Sequence, residues 1–143
     1  MKLQRAQIDI LESIGFGYFE LDLPGKLIEG NQIFFNAIGY TRDEMIGKHF
    51  RHYMDRKQVS LTFNTFAMIH KTGIVEKKLL VDFIHKDGSP RTAEGSVILI
   101  RDENNTPVGY LGILTEITER KQKETTLIQE KKKAERELEI ARE

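Results

Sequence analysis

The sequence predicts an α+β domain in which short helices pack on one face of a single antiparallel sheet. Two strand-like segments lie near the start, three more follow a group of short helical segments, and the last three are separated by short turns. Short turns favour adjacent antiparallel strands. From residue 119 to the end the sequence contains no glycine or proline and is rich in charge, which predicts a long helix outside the sheet.

The first 30 residues predict a flanking helix and a hairpin. Apolar residues recur at helical spacing over residues 2–14, and Gly15 ends this predicted helix. Residues 17–23 alternate polar and apolar side chains, as a half-buried strand does. Pro24 and Gly25 predict a turn, so residues 26–29 form the second strand.

Capping signals define the helices that follow. Asn31 is a predicted N-cap for a helix that Gly39 closes, and Thr41 with Glu44 predicts a capping box for a second short helix. Residues 48–55 form a segment too short and mixed to predict a helix or a strand. Residues 56–71 predict a longer helix, stopped by Gly73. Its apolar face is predicted to carry Val59, Phe63, Phe66 and either Ile69 or His70.

Three strands are predicted at residues 75–86, 91–102 and 107–117. Alternation gives each strand one inward face. The residues predicted to face inward are Leu79, Val81 and Phe83, then Ala93, Gly95 and Val97, then Leu111, Ile113 and Thr115.

The segment 108–120 connects the last strand to the long helix within a few residues. Thr115 or Thr118 is available as an N-cap, and Glu119 lies in the first turn. A shift of this strand is therefore expected to move the helix.

Composition excludes several function classes. Lys+Arg and Asp+Glu both count 22, so charge gives no argument for binding nucleic acid or an anionic membrane. The 143 residues contain no long apolar run and no signal peptide, so we expect a cytoplasmic fragment without membrane contact. The absence of cysteine excludes disulfides and thiolate catalysis. No phosphate loop, nucleophile elbow or paired-carboxylate motif is present, so we expect no enzymatic activity from these residues.

Four strings in this order resemble the PAS (Per-Arnt-Sim) sensor family. They are FNAIGYTRDEMIG at 35–47, KDGS at 86–89, IRDE at 100–103 and EITER at 116–120. The last string is similar to the family's Asp-Ile-Thr exit motif, with Glu116 in place of aspartate. The resemblance implies a five-stranded sheet in the order 2-1-5-4-3, a hollow between the sheet and the long helix, and dimerisation through flanking helices. We therefore divide the chain into a flanking helix (1–15), a PAS domain (16–118) and a coiled-coil linker (119–143).

The implied hollow suggests a pocket for a small apolar or aromatic ligand. Its candidate residues are Phe34, Phe50, Phe63, Phe66, Val81, Phe83, Ala93, Gly95, Val97, Ile113 and Thr115. The alternative is that the aromatic rings simply fill the core. Thr115 is also a candidate for signal relay, together with Glu116, Ile117 and Thr118, although its hydroxyl could instead bond the backbone.

The resemblance also limits the cofactors, whose identity stays unknown. Light-sensing PAS domains need a flavin-reactive cysteine, and Phe50 occupies that position, so cysteinyl-flavin photochemistry is excluded while passive flavin binding is not. Haem-binding PAS domains use a histidine within the long helix. Here His70 lies near the helix end, where a surface role is expected. His49 and His52, with Asp55, have metal-ligand spacing but no evident supporting residues, so we expect no metal site.

As a whole, the resemblance implies a regulatory sensor and dimerisation module of a bacterial signal-transduction protein. Its linker shows a weak coiled-coil pattern with a 3.5-residue repeat. The positions on this seam are Leu127, Lys131, Ala134, Leu138 and Ala141, with lysine at one core position. Residues 134–143 are similar to linkers before metal-dependent serine phosphatases, and similar linkers precede histidine kinases and diguanylate cyclases. We favour a phosphatase or kinase effector, in a parent protein that a membrane anchor elsewhere could hold. The alternative is a ligand-free docking or dimerisation module.

Overall fold

The computed structural model describes residues 3–74 and 76–142, with backbone only for Glu76 and Lys77. The strands are β1 (Gly17–Asp22), β2 (Leu27–Gly30), β3 (Glu76–Ile84), β4 (Pro90–Arg101) and β5 (Pro107–Glu116). The helices are α1 (Arg5–Ser13), α2 (Gln32–Ile38), α3 (Arg42–Met45), α4 (Arg56–Thr72) and α5 (Thr118–Arg142), with a 3-10 helix at Phe50–Tyr53 before α4. Residues 1, 2, 75 and 143, which the predicted segments included, lie outside the described residues.

The five strands form one antiparallel sheet in the order β2-β1-β5-β4-β3, which confirms the predicted order. The central strand β5 pairs with β1 on one side and with β4 on the other. The start of the long helix α5 therefore follows directly from the middle of the sheet.

The predicted caps of α2 and α3 are confirmed. The Asn31 side chain accepts a hydrogen bond from the backbone N–H of Phe34 at 3.1 Å, and Thr41 with Glu44 forms the capping box of α3. Gly39 ends α2 at a φ of +77°, in the left-handed region that favours glycine. A Cβ at Gly39 would also lie 2.3 Å from the ring of His85, so this glycine allows the end of α2 to pack against the turn after β3.

The predicted apolar face of α4 is confirmed at Phe66 and Ile69 but was wrong at Phe63. The buried residues are Gln58, Thr62, Phe66 and Ile69. Phe63 is 47% exposed. Hydrophobicity favoured Phe63 over its polar neighbour Thr62, but Thr62 lies in helical phase with Phe66 and Gln58, and the two polar side chains satisfy each other's hydrogen-bonding groups.

The predicted inward face of β5 was wrong as well. Gly112 pairs with Val97 and Leu114 pairs with Gly95, so these β5 residues share the helix-covered face. Thr115 pairs with Glu94 on the opposite face. Apolar residues occur on both faces of β5, so its sequence lacks the alternation that would fix the orientation.

Candidate functional site

A cavity of about 60 Å³ lies between the sheet and the helices that cover it. Its walls are almost entirely apolar and come from β1, α2, the 3-10 helix and the residue after it, α4, β3, β4 and β5. The lining residues are Phe19, Leu21, Phe34, Ala37, Ile38, Phe50, Tyr53, Met54, Thr62, Phe66, Leu79, Val81, Phe83, Ala93, Gly95, Ser96, Val97, Ile113 and Leu114.

The structure brings most of the candidate pocket residues together in this wall. Those that line the cavity are Phe34, Phe50, Phe66, Val81, Phe83, Ala93, Gly95, Val97 and Ile113. Phe63 is absent from the wall and instead packs against the rings of His49 and Phe50. Thr115 is also absent from the wall, and it pairs with Glu94 on the face of the sheet away from the helices.

Gly95, in the cavity wall, lies very close to the backbone of the neighbouring strand β5. A Cβ there would lie 2.1 Å from the backbone oxygen of Ile113, so the glycine permits a close approach of β4 to β5. Ser96 and Ile113, which the register places on the opposite face, border the cavity beside this glycine.

Aromatic rings occupy most of the space under the helices. The ring of Phe66 stacks on Tyr110 with centroids 4.5 Å apart and meets Phe50 edge to face at 5.7 Å. The remaining volume is well below the roughly 300–1,000 Å³ of ordinary ligand pockets. Neither a flavin nor a haem fits this cavity without rearrangement of the rings.

The sequence reasoning missed the polar residues around the cavity, which include Tyr53, Gln58 and Thr62. The Thr62 hydroxyl accepts a hydrogen bond from Gln58 Nε2 at 3.2 Å and donates to Met54 Sδ at 3.4 Å. The other end of the Gln58 amide, Oε1, accepts from the backbone N–H of Asp82 at 3.2 Å. The available signal was the four-residue spacing of Gln58, Thr62 and Phe66 in the predicted helix.

Tyr53 differs from the other polar groups. It is 5% exposed, and its hydroxyl makes no hydrogen bond with the residues that the structure describes. This burial raises the pKa of Tyr53 well above its ordinary value.

The polar chain continues from Asp82 to the start of α5. The Asp82 carboxylate accepts a hydrogen bond from the Thr92 hydroxyl at 2.8 Å and pairs with Lys121 Nζ at 3.1 Å. Burial opposes ionisation of Asp82, but these two contacts hold its pKa below the ordinary value. The Thr92 backbone donates to the Thr118 hydroxyl at 2.9 Å and accepts from the N–H of Ile117 at 2.8 Å.

We call this set of contacts, made by Asp82, Thr92, Ile117, Thr118 and Lys121, the α5 junction. It corrects one expectation, because Thr118 is the first residue of α5 and its hydroxyl bonds the backbone of β4 rather than capping the helix. It also gives Asp82 a role in holding α5, although the side chain of Asp82 is 58% exposed.

Two ion pairs flank the α5 junction. Glu116, at the end of β5, pairs with Arg91 of β4 at 3.3 Å. Arg120, in the first turn of α5, pairs with Glu94 of β4. The start of α5 is thus held to β3 and β4 by hydrogen bonds and ion pairs.

Comparison with known families and structures agrees with this architecture. Residues 15–119, well over half of the chain, match the family described as PAS domain. The chain belongs to the PAS domain family. PAS domains are sensory and signalling modules and are generally not catalytic. Among curated protein sequences, none matches this PAS domain significantly.

Solved PAS structures share the fold. A PAS domain from Colwellia psychrerythraea is 21% identical, with a TM-score of 0.71 and coverage of 80% of this chain and 97% of that one. The PAS-B domain of Drosophila melanogaster Cycle, with bound ethylene glycol, is 16% identical at a TM-score of 0.60, covering 70% and 96%. The fungal blue-light photoreceptor Vivid, in the structure of its light-state dimer, is 16% identical with a TM-score of 0.62. The match covers 80% of this chain and 95% of that one. At these identities the likeness shows the fold alone.

None of the described residues that line the cavity of this PAS domain is a histidine. His49 is buried, and both of its ring nitrogens are hydrogen-bonded: Nε2 donates to the Pro24 carbonyl at 2.8 Å and Nδ1 accepts from the N–H of Arg51 at 3.1 Å. Burial lowers the pKa of His49. His52 and His70 are exposed. Within residues 3–74 and 76–142, no three His, Asp or Glu side chains converge as a metal site.

The described part of the chain also contains no helix with the length and apolar character needed to cross a bilayer.

Proposed function

We propose that this PAS domain is the sensor of a bacterial signal-transduction protein, in which the cavity takes a small ligand and α5 carries the resulting change to an effector. The observation that supports the proposal is a continuous set of hydrogen bonds between the cavity wall and the first turn of α5. In such an arrangement a ligand that moves the wall also moves the groups that hold the helix.

The path can be followed residue by residue. The Thr62 hydroxyl, in the cavity wall, bonds the Gln58 side chain. Gln58 bonds the backbone of Asp82, whose carboxylate bonds the Thr92 hydroxyl. Thr92 in turn bonds Thr118 in α5 through its backbone N–H. Gln58, Thr62 and Thr92 are all at least 92% buried, whereas the Asp82 side chain is 58% exposed, so water competes least for the Gln58–Thr62 bond.

The mechanism has two states. A ligand that binds one arrangement of the α4–β3 contact better than the other shifts the population toward that arrangement, by no more than its difference in affinity for the two. A shift of a few kcal/mol at most is enough to change the position of α5. The relay passes through Glu116, Ile117 and Thr118 to the helix, while Thr115 lies on the outer face of β5.

Native mass spectrometry of the purified protein, with an absorption spectrum, tests for a ligand. A bound small mass or chromophore that is lost on unfolding supports the sensor. A protein whose cavity stays empty when purified from its own cells contradicts it.

For α5 we propose a parallel coiled coil with a second copy of this chain. α5 has 25 residues, and none of the described ones is buried. An isolated helix of this kind gains little stability from packing, so a partner helix would stabilise it. Leu138, which is 54% exposed, lies on the proposed seam, whereas Ile140, which is 64% exposed, lies off it.

This pair of residues provides a matched test. Leu138→Gln is expected to weaken the dimer in sedimentation equilibrium, while Ile140→Gln leaves it unchanged. Equal effects of the two substitutions, or a monomer at every concentration, would contradict the coiled coil.

For the effector we propose a metal-dependent serine phosphatase or a histidine kinase, with a diguanylate cyclase as the further option. The support is the similarity of residues 134–143 to the linkers that precede such domains. The test is whether the polypeptide that carries this PAS domain also carries the catalytic signature of one of these enzymes.

A second candidate is a ligand-free docking or dimerisation module, which the small volume of the cavity favours. In that case the aromatic rings act only as core. Dimerisation that needs α5 together with a cavity that admits no small molecule would support this candidate.

A further inference from the structure

The helical wall of the cavity carries two hydroxyl groups that can donate a hydrogen bond inward. One belongs to Tyr53, at the end of the 3-10 helix, and the other to Thr62 in α4. Both residues are at least 95% buried, and the surrounding wall is apolar.

The Tyr53 hydroxyl borders an open space. Its deep burial is the cause of its raised pKa, and the described residues offer it no hydrogen-bond partner. Among the described residues, every side-chain oxygen or nitrogen that is completely inaccessible to water has a hydrogen-bond partner. The hydroxyl therefore faces a space that admits at least a water molecule, and Tyr53 is one of the residues that line the cavity.

The Thr62 hydroxyl donates its hydrogen bond to a weak acceptor. It donates to the thioether sulfur of Met54 at 3.4 Å, while it accepts from the Gln58 amide. A thioether is a weak hydrogen-bond acceptor, so a carbonyl or hydroxyl oxygen in the cavity would compete well for this proton.

The uncharged lining and the small volume of the cavity restrict the kinds of ligand that it can bind. Among the described residues that line the cavity none is charged, so an ionised ligand would lose its hydration without gaining a counter-ion. A molecule without any polar atom would leave the Tyr53 hydroxyl unpaired. The 60 Å³ volume admits only a few non-hydrogen atoms unless side chains move.

We propose that the cavity selects small uncharged molecules with a compact apolar body and one oxygen acceptor, such as a ketone, ester or alcohol, and that Tyr53 and Thr62 determine this specificity. The inference rests on the proposed function, in which the cavity is a ligand site. It adds the chemical class of the ligand and the residues that recognise it.

Two probe molecules of the same shape test the inference. Acetone and isobutene differ only in an oxygen atom against a methylene group, so they separate hydrogen bonding from apolar contact. Each is titrated into the full 143-residue chain, and its dissociation constant is measured from NMR shifts of the backbone amides of Ala93 and Val97, in the sheet wall opposite α4. The variants are Tyr53→Phe and Thr62→Val, and the control is Tyr40→Phe, which removes a tyrosine hydroxyl outside the cavity.

We expect acetone to bind roughly 2- to 12-fold more weakly to Tyr53→Phe, the effect of one neutral hydrogen bond, and to weaken in Thr62→Val as well. Isobutene should bind Tyr53→Phe at least as well as the unsubstituted chain, and Tyr40→Phe should behave as unsubstituted with both probes. Amide spectra and thermal melting check that each variant is folded.

The remaining outcomes separate the two levels of the proposal. If isobutene binds but the affinity for acetone is the same in all variants, the specificity inference is overturned while the apolar ligand site stands. If neither probe shifts the cavity amides, the specificity inference and the ligand site of the proposed function both fail.

Discussion

Replacement of Thr118 by valine is expected to loosen the start of α5 without changing the rest of the domain. The Thr118 hydroxyl accepts the backbone N–H of Thr92 at 2.9 Å, and Thr92 is only 6% exposed. Valine keeps the shape of the side chain but cannot accept a hydrogen bond. The substitution therefore leaves one buried N–H of β4 without a partner.

The size of the effect follows from that lost bond. A buried donor left unpaired costs about 1–3 kcal/mol. Since every 1.4 kcal/mol corresponds to a tenfold change in an equilibrium constant, local opening of the α5 junction should become roughly 5- to 150-fold more frequent.

Amide hydrogen exchange reports this opening directly. The N–H of Ile117 bonds the Thr92 carbonyl at 2.8 Å, and the N–H of Lys121 bonds the Ile117 carbonyl at 2.9 Å, so both amides should exchange faster by that factor. Thr126→Val is the matched control, because Thr126 is exposed and lies about two turns further along α5. Equal exchange rates in the two variants would refute the assigned role of Thr118.

Three further substitutions test packing and charge. Gly39→Ala should lower the free energy of unfolding in urea by more than about 1 kcal/mol, because of the positive φ and the collision with His85, and His85→Ala in the same chain should restore part of it. Stability should fall as the pH drops below about 6.5, since burial lowers the folded-state pKa of His49 and the unfolded state then binds the proton first. His49→Gln should flatten this slope. Tyr110→Phe should cost about 0.5–1.5 kcal/mol in urea unfolding, through loss of its 3.2 Å bond to an α4 carbonyl.

Each of these has a clear contrary result. Additive effects of Gly39→Ala and His85→Ala would mean that the two residues do not collide. An unchanged pH slope in His49→Gln would assign the acid sensitivity to other groups. An unchanged unfolding midpoint for Tyr110→Phe would mean that its hydroxyl gains nothing from the α4 carbonyl.

Much of the fold was predictable because its signals are local. The caps at Asn31 and Thr41 and the left-handed glycines at Gly39 and Gly73 depend on a few neighbouring residues, and the structure contains all of them. The strand order depended on the resemblance to the PAS family, since no local signal specifies which strands lie side by side.

The wrong assignments lie in segments where the apolar residues do not mark the buried face. In α4 the buried face includes Gln58 and Thr62, which are tolerated inside because they bond each other and the backbone of β3. In β5 both faces carry apolar residues, so Thr115 was assigned to the wrong face. The contacts of Asp82 with Thr92 and Lys121 join residues far apart in the chain, and no sequence period indicates them.

The most direct test of the link between cavity and helix is amide exchange at Ile117 and Lys121 with the cavity free and with xenon bound. Xenon fills small apolar cavities and makes no hydrogen bonds of its own. The account predicts that xenon changes both exchange rates about fivefold or more, equivalent to a coupling of about 1 kcal/mol, and that Gln58→Leu abolishes the change. Shifted resonances at Ala93 and Val97 with unaltered exchange at Ile117 and Lys121 would contradict it.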